Sequence, residues 1–149
     1  ALQETASASE NFFGLDLSHQ MLLKSQKKSR VNLLQGDAIN LPFLSCGFDS
    51  VLCAFTLELF PEDEIPVVLQ EIRRVLNPDG RLVVMALSTE PKNLAVKLYE
   101  LAHKLFPVAV DCRPIPLECI LTENNFKVQS AKQFMNWGLP IQRITSTPI

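Results

Sequence analysis

Three apolar runs, each bounded by polar or turn residues, organise the middle of the chain: Val31 to Gly36, Phe48 to Phe55 and Arg81 to Ser88. None alternates cleanly between apolar and polar positions, which suits strands buried on both faces. Between the second and third runs, Ile65, Val68, Leu69, Ile72 and Leu76 recur at three- and four-residue spacing and predict a helix over Glu62 to Leu76 with one apolar stripe. Pro61 is placed to begin it, and Glu62, Asp63 and Glu64 put negative charge into the first turn, where the helix dipole favours it. Asn77-Pro78-Asp79-Gly80 then stops the helix and turns the chain into the third run. Strand, helix and parallel strand together set an α/β fold class.

The flanks extend this pattern. Phe12 to Leu15 predicts a short strand closed by Asp16, and Ser18 can cap a helix carrying Met21, Leu22 and Leu23. Downstream, Asn93 to Phe106 reads as a helix with Leu94, Leu98, Leu101 and Leu105 on one stripe and Lys97, Glu100 and Lys104 on the other side. Leu117 to Asn124 predicts a short helix, with Asn125 where a left-handed residue is wanted. Phe126 to Phe134 and Ile141 to Thr147 predict an antiparallel edge pair joined through Met135 to Pro140, where Trp137 either packs on the domain or approaches a pocket. No repeat, low-complexity tract or linker divides the chain, so residues 1–149 are expected to form one domain.

Composition narrows the function classes. With 47% hydrophobic and 20% charged residues, the chain can bury a sizeable core. A formal charge of −2 gives no electrostatic reason to expect a nucleic-acid partner, and the basic run Lys24 to Arg30 suits a solvated helix end. No apolar run approaches the ~18 residues of a membrane span and no secretory signal pattern opens the chain, so the expected compartment is the cytoplasm. The four cysteines, Cys46, Cys53, Cys112 and Cys119, form no CxxC pair and have no histidine at ligand spacing, so no metal site is expected.

Four blocks then carry a resemblance: GLDLSHQML from Gly14, GDAINLPF from Gly36, FDSVLCAFTLELF from Phe48 and IRRVLNPDGRLVVMALS from Ile72. In order and spacing they resemble the class I S-adenosylmethionine-dependent methyltransferases, of the type 11 kind, and within them the branch that includes quinone-biosynthesis C-methyltransferases. The resemblance implies a Rossmann-like fold with a mostly parallel sheet and an antiparallel C-terminal hairpin. It also implies a first strand and glycine-rich loop that this chain lacks, since no GxGxG occurs in it. Those parts would precede Ala1, making the chain an N-terminally truncated domain. In the family the first strand lies between the second and the fourth. The chain alone is therefore expected either to pair Phe12 to Leu15 directly with Phe48 to Phe55 or to borrow a strand from another chain, as a strand-sharing oligomer.

By the same resemblance Asp16, with Leu17 beside it, accepts hydrogen bonds from the cofactor ribose. The residue alone leaves a second role open, at the N-terminus of the helix that follows. Asp37 receives the adenine amino group with Ala38 against the ring, or else simply shapes its turn. Ala54, Phe55 and Thr56, at the C-terminal end of the fourth strand, are candidates to line the methionine end, since open α/β sheets place ligands at the carboxyl ends of strands. Glu58 either faces the substrate or begins the next helix in solvent. Tyr99, His103 and Phe106 are candidates for an acceptor pocket covered by the insertion after the fifth strand. Arg113 either grips an anionic substrate group or serves as a structural clamp or ion pair with Asp111.

The expected activity is transfer of the sulfonium methyl group of S-adenosylmethionine to a small or lipid-like acceptor, a quinone-like ring among them. Such an in-line displacement draws on positioning and exclusion of water, and it obliges no acid, base or metal. Two readings from other classes compete: a catalytically inactive methyltransferase-like binding module, and a nicotinamide oxidoreductase, which shares the acidic residue after the second strand.

Overall fold

The computed structural model describes residues 12–28, 31–89, 113–136 and 138–149. The predicted helix over 93–106, and with it Tyr99, His103 and Phe106, lies outside them, as do Cys112 and Trp137. The chain divides into two compact units, 1–42 and 43–149.

In the first unit, β1 (Phe13–Asp16), α1 (His19–Gln26) and β2 (Asn32–Gln35) follow in order. β1 and β2 pair in parallel, from Phe13 opposite Asn32 to Asp16 opposite Gln35. The strand thus begins one residue later than the pattern predicts and takes Asp16 into the ladder. Ser18 caps α1: its hydroxyl accepts from the Met21 N–H at 3.4 Å and its carbonyl from the Leu22 N–H at 3.1 Å. Gly36 ends β2 so close to β1 that an added Cβ would stand 2.9 Å from Leu15 Cδ1, a place only glycine fills without displacing that side chain.

The second unit contains β3 (Phe48–Ala54), a 3₁₀ turn (Leu57–Leu59), α2 (Ile65–Val75), β4 (Leu76–Leu87), α3 (Leu117–Glu123), β5 (Phe126–Asn136) and β6 (Leu139–Pro148). The strands lie in the order β3-β4-β6-β5, with β3 and β4 parallel and the other pairs antiparallel. α2 buries Ile65, Val68, Leu69 and Ile72 of the expected stripe together with Val75, while Leu76, the last residue expected in it, is buried as the first residue of β4. It starts later than its acidic run suggests. Pro66 has no N–H and must sit in the first turn, so Glu62 to Glu64 form a lead-in turn, with the Ile65 N–H on the Pro61 carbonyl at 3.3 Å. At the other end, the N–H groups of Cys46 and Gly47 donate to the carbonyls of Arg74 and Val75 at 3.0 and 2.8 Å, satisfying acceptors that the helix leaves open.

Asn77-Pro78-Asp79-Gly80 is accommodated as an irregularity inside β4: Leu76 stands opposite Phe48, and the next partners are Arg81 and Ser50. Beyond it Leu82, Val84, Ala86 and Leu87 are buried, with Val83 and Met85 half-buried, so β4 is covered on both faces as predicted. β3 is not: Leu52 is 45% exposed and Ala54 is exposed. β3 has one sheet neighbour where β4 has two. Within the first unit β1 pairs with β2, and within the second β3 pairs with β4.

The C-terminal hairpin is longer than the sequence indicates. Asn136 pairs with Leu139, and Gly138, just before Leu139, takes φ 79°. Asn125 is left-handed at φ 63° after α3, as predicted.

Candidate functional site

In the first unit the candidates stand at the ends of the parallel pair. Asp16 Oδ1 accepts from the Ser18 N–H at 2.8 Å, so the carboxylate does serve the start of α1. Among the described residues its second oxygen has no hydrogen bond, which leaves an acceptor for a ligand hydroxyl. The next residue, Leu17, is exposed, and its carbonyl accepts from Gln35 Nε2 at 3.1 Å, tying the ends of β1 and β2 together. Asp37 shapes its turn: Oδ1 accepts from the Ile39 N–H and its carbonyl from the Asn40 N–H, both at 3.1 Å. Its other carboxylate oxygen likewise has no hydrogen bond among the described residues, and Ala38 beside it is half-buried. In both aspartates the two roles left open by the sequence can coexist, one oxygen for each.

In the second unit Ala54, Phe55, Thr56 and Glu58 lie at or just past the carboxyl end of β3, which runs parallel to β4. Phe55 leaves β3 in the left-handed region at φ 52°, while its N–H still donates to the Met85 carbonyl at 2.8 Å. An aromatic residue in this conformation costs on the order of 1–3 kcal/mol, and such strain concentrates at functional positions. Thr56 then donates from Oγ1 to the Ala54 carbonyl at 3.1 Å. The bend carries the 3₁₀ turn inward, so that Leu57 and Glu58 are 0% and 1% exposed.

Glu58 is therefore buried within the 3₁₀ turn and does not start α2 in solvent. Its Oε1 accepts a long hydrogen bond, 3.4 Å, from the Leu87 N–H at the end of β4, and its Oε2 has no partner among the described residues. Burial pushes the Glu58 carboxyl above its ordinary range, against the opposing pull of the Glu58 and Leu87 N–H groups. Cys53, buried on β3, has its thiol pushed up to about 11, chiefly by burial, with the Thr56 hydrogen bond lowering it and the Glu58 charge raising it. The thiol is thus neutral near pH 7.

The end of β4 is closed by a strap the sequence reading missed. Ile115 bridges Ser88 in parallel and donates its N–H to the Leu87 carbonyl at 3.1 Å, while the Ser88 N–H donates to the Pro140 carbonyl at 2.9 Å. Pro114 and Pro116 around Ile115 are the signal for this extended stretch. Arg113 anchors it, donating to Glu62 Oε1 at 2.7 Å and to the Phe60 carbonyl at 2.9 Å. Of the roles considered for Arg113, the structure shows the clamp, with Glu62 as its ionic partner. Among the described residues no group of His, Cys, Asp and Glu is arranged to hold a metal ion, and no helix is long and apolar enough to cross a membrane.

A family profile described as "Methyltransferase domain" matches residues 1–84, more than half of the chain and all of the candidates from Asp16 to Glu58. The chain belongs to the methyltransferase domain family. Curated relatives include the demethylmenaquinone methyltransferase of Lactobacillus johnsonii, 39% identical over 115 residues that make up 72% of this chain and 46% of that protein. That of Staphylococcus haemolyticus is 34% identical over 108 residues, 70% of this chain and 44% of that protein. The chain thus spans less than half the length of these relatives.

Among solved structures, an S-adenosylmethionine-dependent methyltransferase of Thermotoga maritima superposes with a TM-score of 0.75 at 21% identity, over 91% of this chain and 72% of that one. Magnesium protoporphyrin IX methyltransferase of Synechocystis, with bound S-adenosylhomocysteine, gives 0.69 at 18% identity, over 92% and 64%. At these identities the likeness shows the fold: it is the Rossmann-like class I methyltransferase fold, with the antiparallel hairpin β5–β6.

Proposed function

We propose that this protein, in the cytoplasm, transfers the methyl group of S-adenosylmethionine to a small, quinone-like acceptor. The observation that carries the reading is the family match across residues 1–84, which spans both aspartates and the strained end of β3. The residues suit the cofactor. A carboxylate with one oxygen to spare, as at Asp16, can accept from ribose hydroxyls, and Asp37 with Ala38 offers an acceptor beside an apolar surface for adenine. Leu17, exposed beside Asp16, adds to the ribose side, and Ala54, Phe55 and Thr56 line the methionine end. The bound cofactor supplies an electrophilic methyl group, and the protein's task is to hold the acceptor in line with it and keep water out.

The demethylmenaquinone methyltransferases among the relatives support a quinone-like ring as acceptor. Reaction with an electrophilic methyl group requires an electron-rich carbon, so the ring reacts as its hydroquinone. Tyr99 and His103 remain candidates for the acceptor pocket, whereas Arg113 contributes by fixing the strap beside it. The family match favours neither a nicotinamide enzyme nor an inert binding module. Methyl transfer from labelled S-adenosylmethionine to a hydroquinone with a free ring position tests the proposal in the full-length protein: labelled product is expected, and its absence with every hydroquinone supplied would contradict it.

A further inference from the structure

Glu58 is the one buried side chain among the described residues with an oxygen that no hydrogen bond satisfies. A buried carboxyl oxygen without a partner is costly, by an amount comparable with a lost hydrogen bond or more, and persists where function requires it. Three features hold it in place. The left-handed turn at Phe55 directs the 3₁₀ turn inward, Leu57 beside it is fully buried, and Oε1 is tethered to the backbone of Leu87. The tether joins the carboxyl ends of the parallel strands β3 and β4, the edge at which open α/β sheets place their ligands.

We propose that Glu58 is the proton acceptor for the hydroxyl group of the methyl acceptor, which meets Oε2. This rests on the methyltransferase reading above and deepens it. The acceptor hydroxyl gives its proton to Oε2, leaving Glu58 as the neutral acid. The electron pair released on oxygen is delivered through the ring to the carbon that forms the new C–CH₃ bond. The C–S bond of the donor breaks with its pair remaining on sulfur, and the ring C–H proton then leaves to water, restoring the aromatic ring. Rearomatisation leaves the product oxygen as an oxyanion, and Glu58 returns its proton to that oxygen before product release, so the balance is one methyl group transferred and one proton set free.

The surroundings suit this work. The titratable side chain facing Glu58 from β3 is Cys53, whose thiol stays neutral near pH 7. β4 presents the Leu87 N–H, and on the adjoining segments Arg113 and Glu62 pair with each other. No cation on the described residues is bonded to Glu58, and burial raises its proton affinity above that of an ordinary carboxylate, closer to that of the proton it is to take.

In the folded chain the carboxyl binds its proton more tightly than in the unfolded one. Its contribution to stability is therefore full below the unfolded value and lost as pH rises through the folded one. Three measurements on the full-length protein test the proposal: calorimetric titration with S-adenosylhomocysteine, turnover of a hydroquinone against pH, and the thermal midpoint against pH without ligands.

Glu58→Gln is expected to bind S-adenosylhomocysteine like the wild type. Its kcat should fall by about 10²-fold or more, it should lose the acidic limb of the turnover profile, and it should lose the decline in thermal midpoint described above. Glu58→Asp, which keeps the carboxyl, should retain that limb with part of the turnover. If the wild type gives no heat with S-adenosylhomocysteine, the methyltransferase reading fails and Glu58's role with it. Normal heat together with undiminished turnover and an unchanged pH profile in Glu58→Gln would overturn the role of Glu58 alone.

Discussion

At the scale of single residues, the two aspartates and Glu58 were found by different signals. Asp16 and Asp37 are legible because each closes an apolar run in a recognisable block, and both turn out to use one oxygen for a local backbone N–H. Glu58 is legible only as a charge interrupting an apolar run. Its burial depends on the positive φ of Phe55, and a phenylalanine gives no warning of that conformation. Arg113 was readable as a cation near a loop but not as the partner of Glu62, because the two are 51 positions apart. Replacing Asp16 or Asp37 by alanine should each weaken cofactor binding by about 1–3 kcal/mol, the cost of losing hydrogen bonds to a charged acceptor. Neither change removes a buried contact, so thermal unfolding should move much less than binding.

At the scale of elements, the helix α2 shows what periodicity resolves and what it leaves out. Its stripe indicated Ile65, Val68, Leu69 and Ile72 of the buried face, because apolar side chains three and four apart must share one side of a helix, but it ran past the helix end to Leu76 and left out Val75. The start was misplaced because three acidic residues outweighed Pro66, whose missing N–H sets the first turn. The hairpin failed in the opposite sense: the predicted strands stopped short because Asn136, Gly138 and Pro140 read as loop, yet Gly138 takes a positive φ and β6 begins at Leu139. Leu69 is fully buried on α2. Leu69→Ala should destabilise the protein by about 2–5 kcal/mol, as truncation of a core leucine does, measured as a lower urea midpoint with little change in slope.

At the scale of the whole molecule, the α/β class, the parallel β3–β4 pair and the terminal hairpin follow from pattern alone. The order β3-β4-β6-β5 does not, since strand neighbours are set by long-range pairing that no local run encodes. Amide exchange should reflect that order. Val83 to Ala86, in a strand with ladders on both sides, should exchange far more slowly than Gly14 and Leu15, whose strand carries one ladder. Comparable protection in the two places would contradict this ranking of the strands by the ladders they carry.

The central claim is that this methyltransferase fold binds S-adenosylmethionine through its two aspartates, and calorimetric titration of S-adenosylhomocysteine into the full-length protein tests it most directly. The account predicts saturable binding by the wild type, with dissociation constants about 5- to 150-fold weaker in Asp16→Ala and in Asp37→Ala, the ratio that corresponds to 1–3 kcal/mol. No binding by the wild type, or equal binding by all three proteins, would contradict it.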